Sequence, residues 1–351
     1  MDYGLKNLGN TCYMNSIIQC IRYTGLLSLD DDDFIQNCIK TEKRNEFGLM
    51  REWLRLQKSF IIENDTKCVN PINFYKSFAQ NISRSEYTFV GFEQNDAGEF
   101  ITILFDLLHK CLKYKIKLSI QGDIKNNLDR IAVDSIDYWK KFFENEYSYL
   151  IQSTYSQLLS ITSCPKCDYS TRNHDPIQII TLHMKPHFET IYDMLSHYTS
   201  VETLDSDNSW KCDKCKENVN PEKKIVFWNL SDILIIQIKR YDSNLKKIDR
   251  HIGFPILLNM NKFCMNYAEQ SMTYKLCSMS VQSGSLNGGH YYAICNTNVN
   301  NTNVNNTNVN NTNVNNTNDN KWKVFNDSNV FDIDFSDMMQ QKPYCLFYKR
   351  I

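Results

Sequence analysis

The chain has 351 residues, 42% hydrophobic and 23% charged, which is material for roughly two domains with sizeable cores. Its 39 basic and 40 acidic residues balance to a net charge of -1, so no basic footprint for nucleic acid or an anionic membrane is present. No apolar run approaches the roughly 18 to 20 residues of a membrane span, and Met1-Asp2-Tyr3-Gly4 opens no secretory signal. The expectation is a soluble, monomeric protein of the cytoplasm and/or nucleus, with reduced thiols.

From Thr11 to about Tyr23, Met14, Ile17, Ile18 and Ile21 recur at helical spacing, which predicts an amphipathic helix capped by Asn10 or Thr11 with Cys12 in its first turn. The acidic run Asp30 to Asp33 reads as a solvated loop. Further i, i+3, i+4 apolar patterns over Glu46 to Ile62 and Asp96 to Tyr114 make residues to about 150 an α-rich lobe. The pattern then changes to β-branched and aromatic runs: Ile177 to Leu182, Lys224 to Asn229, Ile233 to Lys239, Tyr274 to Val281, Tyr291 to Cys295 and Tyr344 to Tyr348. A helix over Phe188 to Tyr198 interrupts this β-rich lobe. Residues 296–320 are five Asn-rich pentads with too little apolar surface to offset their ordering entropy, and read as a disordered loop insertion.

Thirteen cysteines in a reducing context imply ligands or nucleophiles among them. Cys12, at a helix N-terminus, faces unpaired backbone N–H groups and the positive end of the helix dipole, which favour thiolate and can also donate to an oxyanion. Asn7, on a Gly-flanked loop nearby, supplies a further side-chain donor. Of seven histidines, His290 alone follows a Gly288-Gly289 pair and opens a strand, so a substrate backbone can pass beside a rigidly held ring. The next strand, Lys321 to Phe325, ends in Asn326-Asp327. A hairpin of the two strands brings His290 and Asn326 to one end of the ladder, in the Cys, His, Asn order of thiol proteases.

Cys164-Pro165-Lys166-Cys167 and Cys212-Asp213-Lys214-Cys215 supply four thiolates as two chelating pairs, the pattern of a closed tetrahedral zinc site holding one structural ion.

Gly4-Leu5-Lys6-Asn7-Leu8-Gly9-Asn10-Thr11-Cys12-Tyr13-Met14-Asn15-Ser16 resembles the cysteine box of the ubiquitin-specific proteases. Gly288-Gly289-His290-Tyr291, with Trp322 to Asp327, resembles that family's histidine box. Leu234 to Tyr241 with Ile252-Gly253-Phe254-Pro255 resembles its palm motif, and Tyr344 to Tyr348 its closing strand.

The resemblance implies an α+β, papain-like cysteine protease fold over residues 1–351. Its α-rich thumb would span about 1–150, its zinc-bearing β fingers about 151–230 and its β-rich palm about 231–351. It implies a deubiquitinase acting on ubiquitin and ubiquitinated proteins, with the same fold acting on a ubiquitin-like modifier, or a weakly active ubiquitin-binding module, as alternatives. Cys12 would be the nucleophile, His290 the base, Asn326 its orienting partner and Asn7 the oxyanion donor, with Asp327 assisting. Gln94-Asn95-Asp96-Ala97-Gly98-Glu99-Phe100 resembles the family's glutamine-aspartate box. Asp96 and Glu99, at i and i+3 with carboxylates to one side, would pair with arginines of the ubiquitin tail. Gln94, Gly289 and Tyr291 would contact the tail alongside them. Two positions stand apart: Gln282, read as lying on a loop beside the site where the family commonly has histidine, and Gly98, which has no local explanation in a helix.

Overall fold

The computed structural model describes residues 2–62, 67–85, 87, 93–242, 244, 246–265, 267, 271–284, 289–298 and 321–351. One large sheet organises the chain. Its strands run Asn329–Asp332, Trp322–Asn326, His290–Asn296, Thr273–Ser283, Pro343–Arg350, Ile233–Lys239 and Ile179–His183, and Leu257–Asn259 pairs with Thr273–Ser283. Neighbours are antiparallel except the parallel pair of Ile233–Lys239 with Ile179–His183.

Both faces of the middle of this sheet are covered, and the central strand Ile233–Lys239 is correspondingly a near-continuous apolar run. Side chains alternate along a strand, so Ile233 and Ile235 pack with the helical layer while Leu234, Ile236 and Ile238 enter a second core on the other face. The helix Cys12–Thr24 lies on the first face, with every residue buried except Arg22. Ala97–Leu112 packs beside it, and Tyr13 meets Phe100 edge-to-face at 5.5 Å.

A four-stranded antiparallel sheet, Ser170–Ile177, Ser156–Ser163, Glu222–Asn229 and Glu202–Thr203, extends from this body. The helix Asn127–Phe143, closed by an Asn126/Asp129 capping box, covers it through Ile131, Leu159 and Trp228. A ribbon of Trp210–Lys211 against Asn218–Val219 carries the second cysteine pair.

Several elements differ from the sequence-based reading. The acidic run is no loop: Asp31 caps the helix Asp32–Thr41 by accepting from the Phe34 N–H at 3.0 Å, and it also accepts from the Tyr149 hydroxyl at 2.6 Å. The helix expected from Phe188 starts at Ile191, where Thr190 and Asp193 form a capping box. Ile177 ends the strand Ser170–Ile177, so the central-sheet strand begins only at Ile179. Gln282 lies within the strand Thr273–Ser283, buried and opposite Tyr291, because pairing with the histidine strand continues to Ser283.

The hairpin joining His290–Asn296 to Trp322–Asn326 is present, closed by the Thr297 N–H on the Lys321 carbonyl at 2.8 Å. Most of the expected Asn-rich loop, residues 299–320, and Gly288 lie outside the described residues. Among the described residues no helix is long and apolar enough to cross a membrane.

Candidate active site

Cys12 opens its helix and is 5% exposed. Burial pushes the thiol pKa above the ordinary cysteine value, and the Asp327 carboxylate adds to the rise. The backbone N–H groups of Tyr291, Tyr13 and Cys12 itself oppose this without cancelling it. The helix terminus thus eases ionisation, as the sequence suggests, but burial outweighs it and attack calls for a base.

His290 begins its strand, and its Nε2 lies 2.7 Å from Oδ1 of Asn326, the last residue of the neighbouring strand. An amide oxygen only accepts, so Nε2 carries the proton and Nδ1 is the basic nitrogen. The antiparallel register from Ala293↔Phe325 to Asn296↔Trp322 sets this contact.

Asp327, at φ 51°, follows in a left-handed turn. Its carboxylate binds two amides of the cysteine segment: Oδ2 accepts from Asn7 Nδ2 at 2.9 Å and Oδ1 from Asn15 Nδ2 at 2.8 Å. Asn7 Oδ1 in turn accepts from the Gly9 N–H at 2.9 Å, and from the Thr11 N–H and hydroxyl, both at 3.2 Å. That fixes the amide, and leaves one of its two N–H bonds for an oxyanion. The same turn is clamped by backbone, since the Leu5 N–H donates to the Asp327 carbonyl at 2.8 Å. Gly4 permits this approach: a Cβ there would lie 2.5 Å from the Asp327 carbonyl oxygen and 2.6 Å from Ser328.

The glutamine-aspartate segment meets the histidine loop directly, because Gln94 Oε1 accepts from the Gly289 N–H at 3.1 Å. Asp96 and Glu99 sit in different settings. Asp96 precedes the helix as its cap, with Oδ1 accepting from the Gly98 and Glu99 N–H groups at 2.7 and 3.0 Å, and its Oδ2 accepts from the Tyr344 hydroxyl. Glu99 is exposed. The Tyr291 side chain is also committed to the interior, 6% exposed and edge-to-face with Tyr344 at 5.6 Å. Only its backbone N–H reaches the site, at the Cys12 sulfur.

The sequence reading missed Gln237, whose Nε2 donates to the Tyr344 hydroxyl at 3.1 Å. A glutamine inside the run Ile235-Ile236-Gln237-Ile238 was the available signal. It also explains Gly98, since a Cβ at that position would lie 2.2 Å from Gln237 Nε2. Gln282 Oε1 accepts from the Tyr241 hydroxyl at 3.3 Å, so this side chain braces the palm strands.

In a separate cluster, the sulfurs of Cys164, Cys167, Cys212 and Cys215 all lie within 4.8 Å of one another and could hold a metal ion. Cys164 and Cys215 are 3.8 Å apart, and Cys167 and Cys212 are 3.6 Å apart. A tetrahedral ion with metal–sulfur bonds of about 2.3 Å requires sulfur separations of about 3.8 Å, so the donor set fits. Lys216 at φ 61° makes the knuckle turn, with its N–H on the Cys212 carbonyl at 2.8 Å.

A helix-borne cysteine, a hairpin-borne His–Asn pair and a four-cysteine ribbon define a papain-like α+β fold with α-rich thumb, β-rich palm and β fingers. The family model described as ubiquitin carboxyl-terminal hydrolase matches residues 3–348, and the chain belongs to that family. It is 28% identical over 359 residues to bovine ubiquitin carboxyl-terminal hydrolase 2, covering 99% of this chain and 54% of that protein. It is 29% identical over 357 residues to the chicken protein of the same name, covering 99% and 92%. The chain thus spans about half the length of the bovine relative and nearly all of the chicken one. Among solved structures, the SAGA Ubp8/Sgf11/Sus1/Sgf73 DUB module bound to ubiquitin aldehyde superposes with a TM-score of 0.70 at 21% identity, covering 99% of this chain and 69% of that one.

Proposed function

We propose that the chain is a cysteine isopeptidase that removes ubiquitin from conjugates. The observation that carries this reading is the His290–Asn326 bond of 2.7 Å, on the hairpin whose Tyr291 N–H meets the Cys12 sulfur at the start of its helix. The names of the relatives and the ubiquitin aldehyde held by the structural neighbour support ubiquitin as the substrate.

Attack would proceed with proton transfer, since burial disfavours the Cys12 thiolate. His290 Nδ1 takes the proton as the Cys12 sulfur bonds to the carbonyl carbon of ubiquitin's terminal glycine. The oxyanion is met by the free N–H of Asn7 and by backbone N–H groups at the start of the helix. Collapse breaks the carbon–nitrogen bond, His290 protonates the departing amine, and a thioester remains. Water, deprotonated by His290, then hydrolyses the thioester and restores the thiol. Asn326 holds the ring by a hydrogen bond alone and brings no charge to the imidazolium. Glu99 is the carboxylate free to meet an arginine of an incoming tail, while Gln94 and Gly289 line its path.

Zinc in the four-cysteine site would contribute to folding of the fingers, in a cluster separate from the one that holds Cys12. Both the nucleophile and these ligands require reduced thiols, which suits a cytoplasmic or nuclear setting. The test is hydrolysis of a fluorogenic amide of ubiquitin's C-terminus, with other modifiers in parallel. Turnover by the wild type that disappears in Cys12→Ser is expected. Absence of turnover by folded, metal-loaded protein contradicts the proposal.

A further inference from the structure

Asn15 lies one helical turn beyond Cys12 and is 3% exposed. Its side-chain nitrogen faces three acceptors: Asp327 Oδ1 at 2.8 Å, the Lys6 carbonyl at 3.3 Å and the Leu5 carbonyl at 3.4 Å. Three acceptors on one side fix which end of the amide points there. Its own Oδ1 is buried with no hydrogen-bond partner among the described residues. An unpaired buried acceptor is destabilising, and a leucine of similar shape would remove it. The donor end is therefore what this position needs, and all its acceptors belong to segments that carry the chemistry.

The Asp327 carboxylate joins the two amides. One oxygen is taken by Asn15 and the other by Asn7, whose remaining N–H has no acceptor among the described residues and would serve the oxyanion. Without Asn15, the carboxylate keeps only its Asn7 side-chain contact, and the Leu5–Lys6 backbone loses its side-chain tie to the second turn of the nucleophile helix. We propose that Asn15 is a positioning residue, which holds Asp327 and the Leu5–Lys6 backbone so that the Asn7 amide meets the oxyanion at the correct distance from the Cys12 sulfur. The inference rests on the hydrolase reading above, and it deepens that reading by assigning a residue that touches neither substrate nor base.

The experiment is a double-mutant cycle of Asn15→Leu and Asn7→Ala, read by kcat and KM on the fluorogenic ubiquitin substrate. Loss of one oxyanion donor lowers kcat by roughly a hundredfold or more, and misplacing it by roughly tenfold or more. Asn15→Leu should therefore lower kcat by at least roughly tenfold and change KM by less than about twofold. The double variant should match Asn7→Ala within about twofold, since one variant has already removed what the other positions. If Asn15→Leu does not fold, Asn15→Ser, which keeps a donor but shortens it, enters the same cycle with a smaller loss expected. Multiplicative losses, or a loss carried by KM, overturn the inference while the function stands. A wild type that binds ubiquitin but does not turn over overturns the function, and the inference with it.

Discussion

The catalytic centre and the cysteine ribbon are built on opposite principles. In the ribbon, two Cys-x-x-Cys turns bring four sulfurs together within a short antiparallel hairpin and its neighbouring turn. At the catalytic centre, Asn7 and Asn15 bind Asp327, more than 300 residues away along the chain. One site joins two local turns that lie 45 to 51 residues apart and, on the proposed reading, is closed by an ion. The other exists only when the helix, the glycine-thin strand at Gly4 and the hairpin have all docked. Perturbing the ribbon should therefore weaken a limb, whereas perturbing the docking contacts should weaken chemistry.

The largest expected effect divides the two regions by readout. Cys12→Ala should lower turnover on the order of 10⁴-fold or more, with thermal stability changed little, measured by the fluorogenic assay beside calorimetry. Removing the metal with a chelator, or by Cys164→Ser, should do the reverse. A filled structural zinc site contributes roughly 10–16 kcal/mol in isolated zinc-finger peptides, so the fingers should loosen first, with a lower Tm and a raised KM for ubiquitin but a smaller change in kcat. Release of one zinc per chain, followed with a colorimetric chelator, checks the stoichiometry. An equal loss of kcat would show that the two regions are not independent.

A third test concerns the coupling of Asp327 to the nucleophile. Its negative charge helps hold the Cys12 thiol above the ordinary cysteine value, so Asp327→Asn should favour thiolate. Alkylation of Cys12 by iodoacetamide should then begin at lower pH, although turnover falls because the Asn7 contact is altered. The direction of the alkylation shift separates electrostatics from positioning.

Gly98→Ala tests the bridge between helix and palm. A Cβ would lie 2.2 Å from Gln237 Nε2, so a loss of about 1–3 kcal/mol is expected despite alanine's better helix propensity. Gln237→Ala in the same chain should recover part of it, as denaturant unfolding would show.

The smallest expected effect lies in the fingers. His174 is fully buried between Tyr138 and Trp228, and neither ring nitrogen has a partner among the described residues. Burial lowers its pKa, against the pull of Asp134 and Asp175 and with a minor contribution from Arg172. The unfolded state therefore binds the proton more readily, so stability is full above the unfolded histidine value of about 6.5 and is lost as pH falls through and below it. His174→Phe should flatten that acid dependence of Tm by about a degree or two in zinc-saturated protein.

The two regions also differ in how much of them the sequence discloses. The Cys-x-x-Cys pairs are legible because spacing alone places the ligands. Cys12, His290 and Asn326 are legible because the motif around each names its local structure, a helix start or a strand end. Asn15, Gln237 and Tyr344 were not read as parts of the site, because their partners are distant in the chain and only the folded sheet identifies them. Asp96 reads from the sequence as a tail-facing carboxylate, and its further contacts, as helix cap and with Tyr344, are set by the fold. Gln282 reads from the sequence as a loop residue, while the pairing that makes it a strand residue comes from Tyr291 on another segment.

The measurement that bears most directly on the central claim is covalent capture with ubiquitin carrying a C-terminal electrophile, followed by intact mass and peptide mapping. The expected result is one ubiquitin per chain, attached at Cys12 among the thirteen cysteines, absent in Cys12→Ala and slowed in His290→Ala. Modification of another thiol, or no adduct on folded protein, would contradict the account.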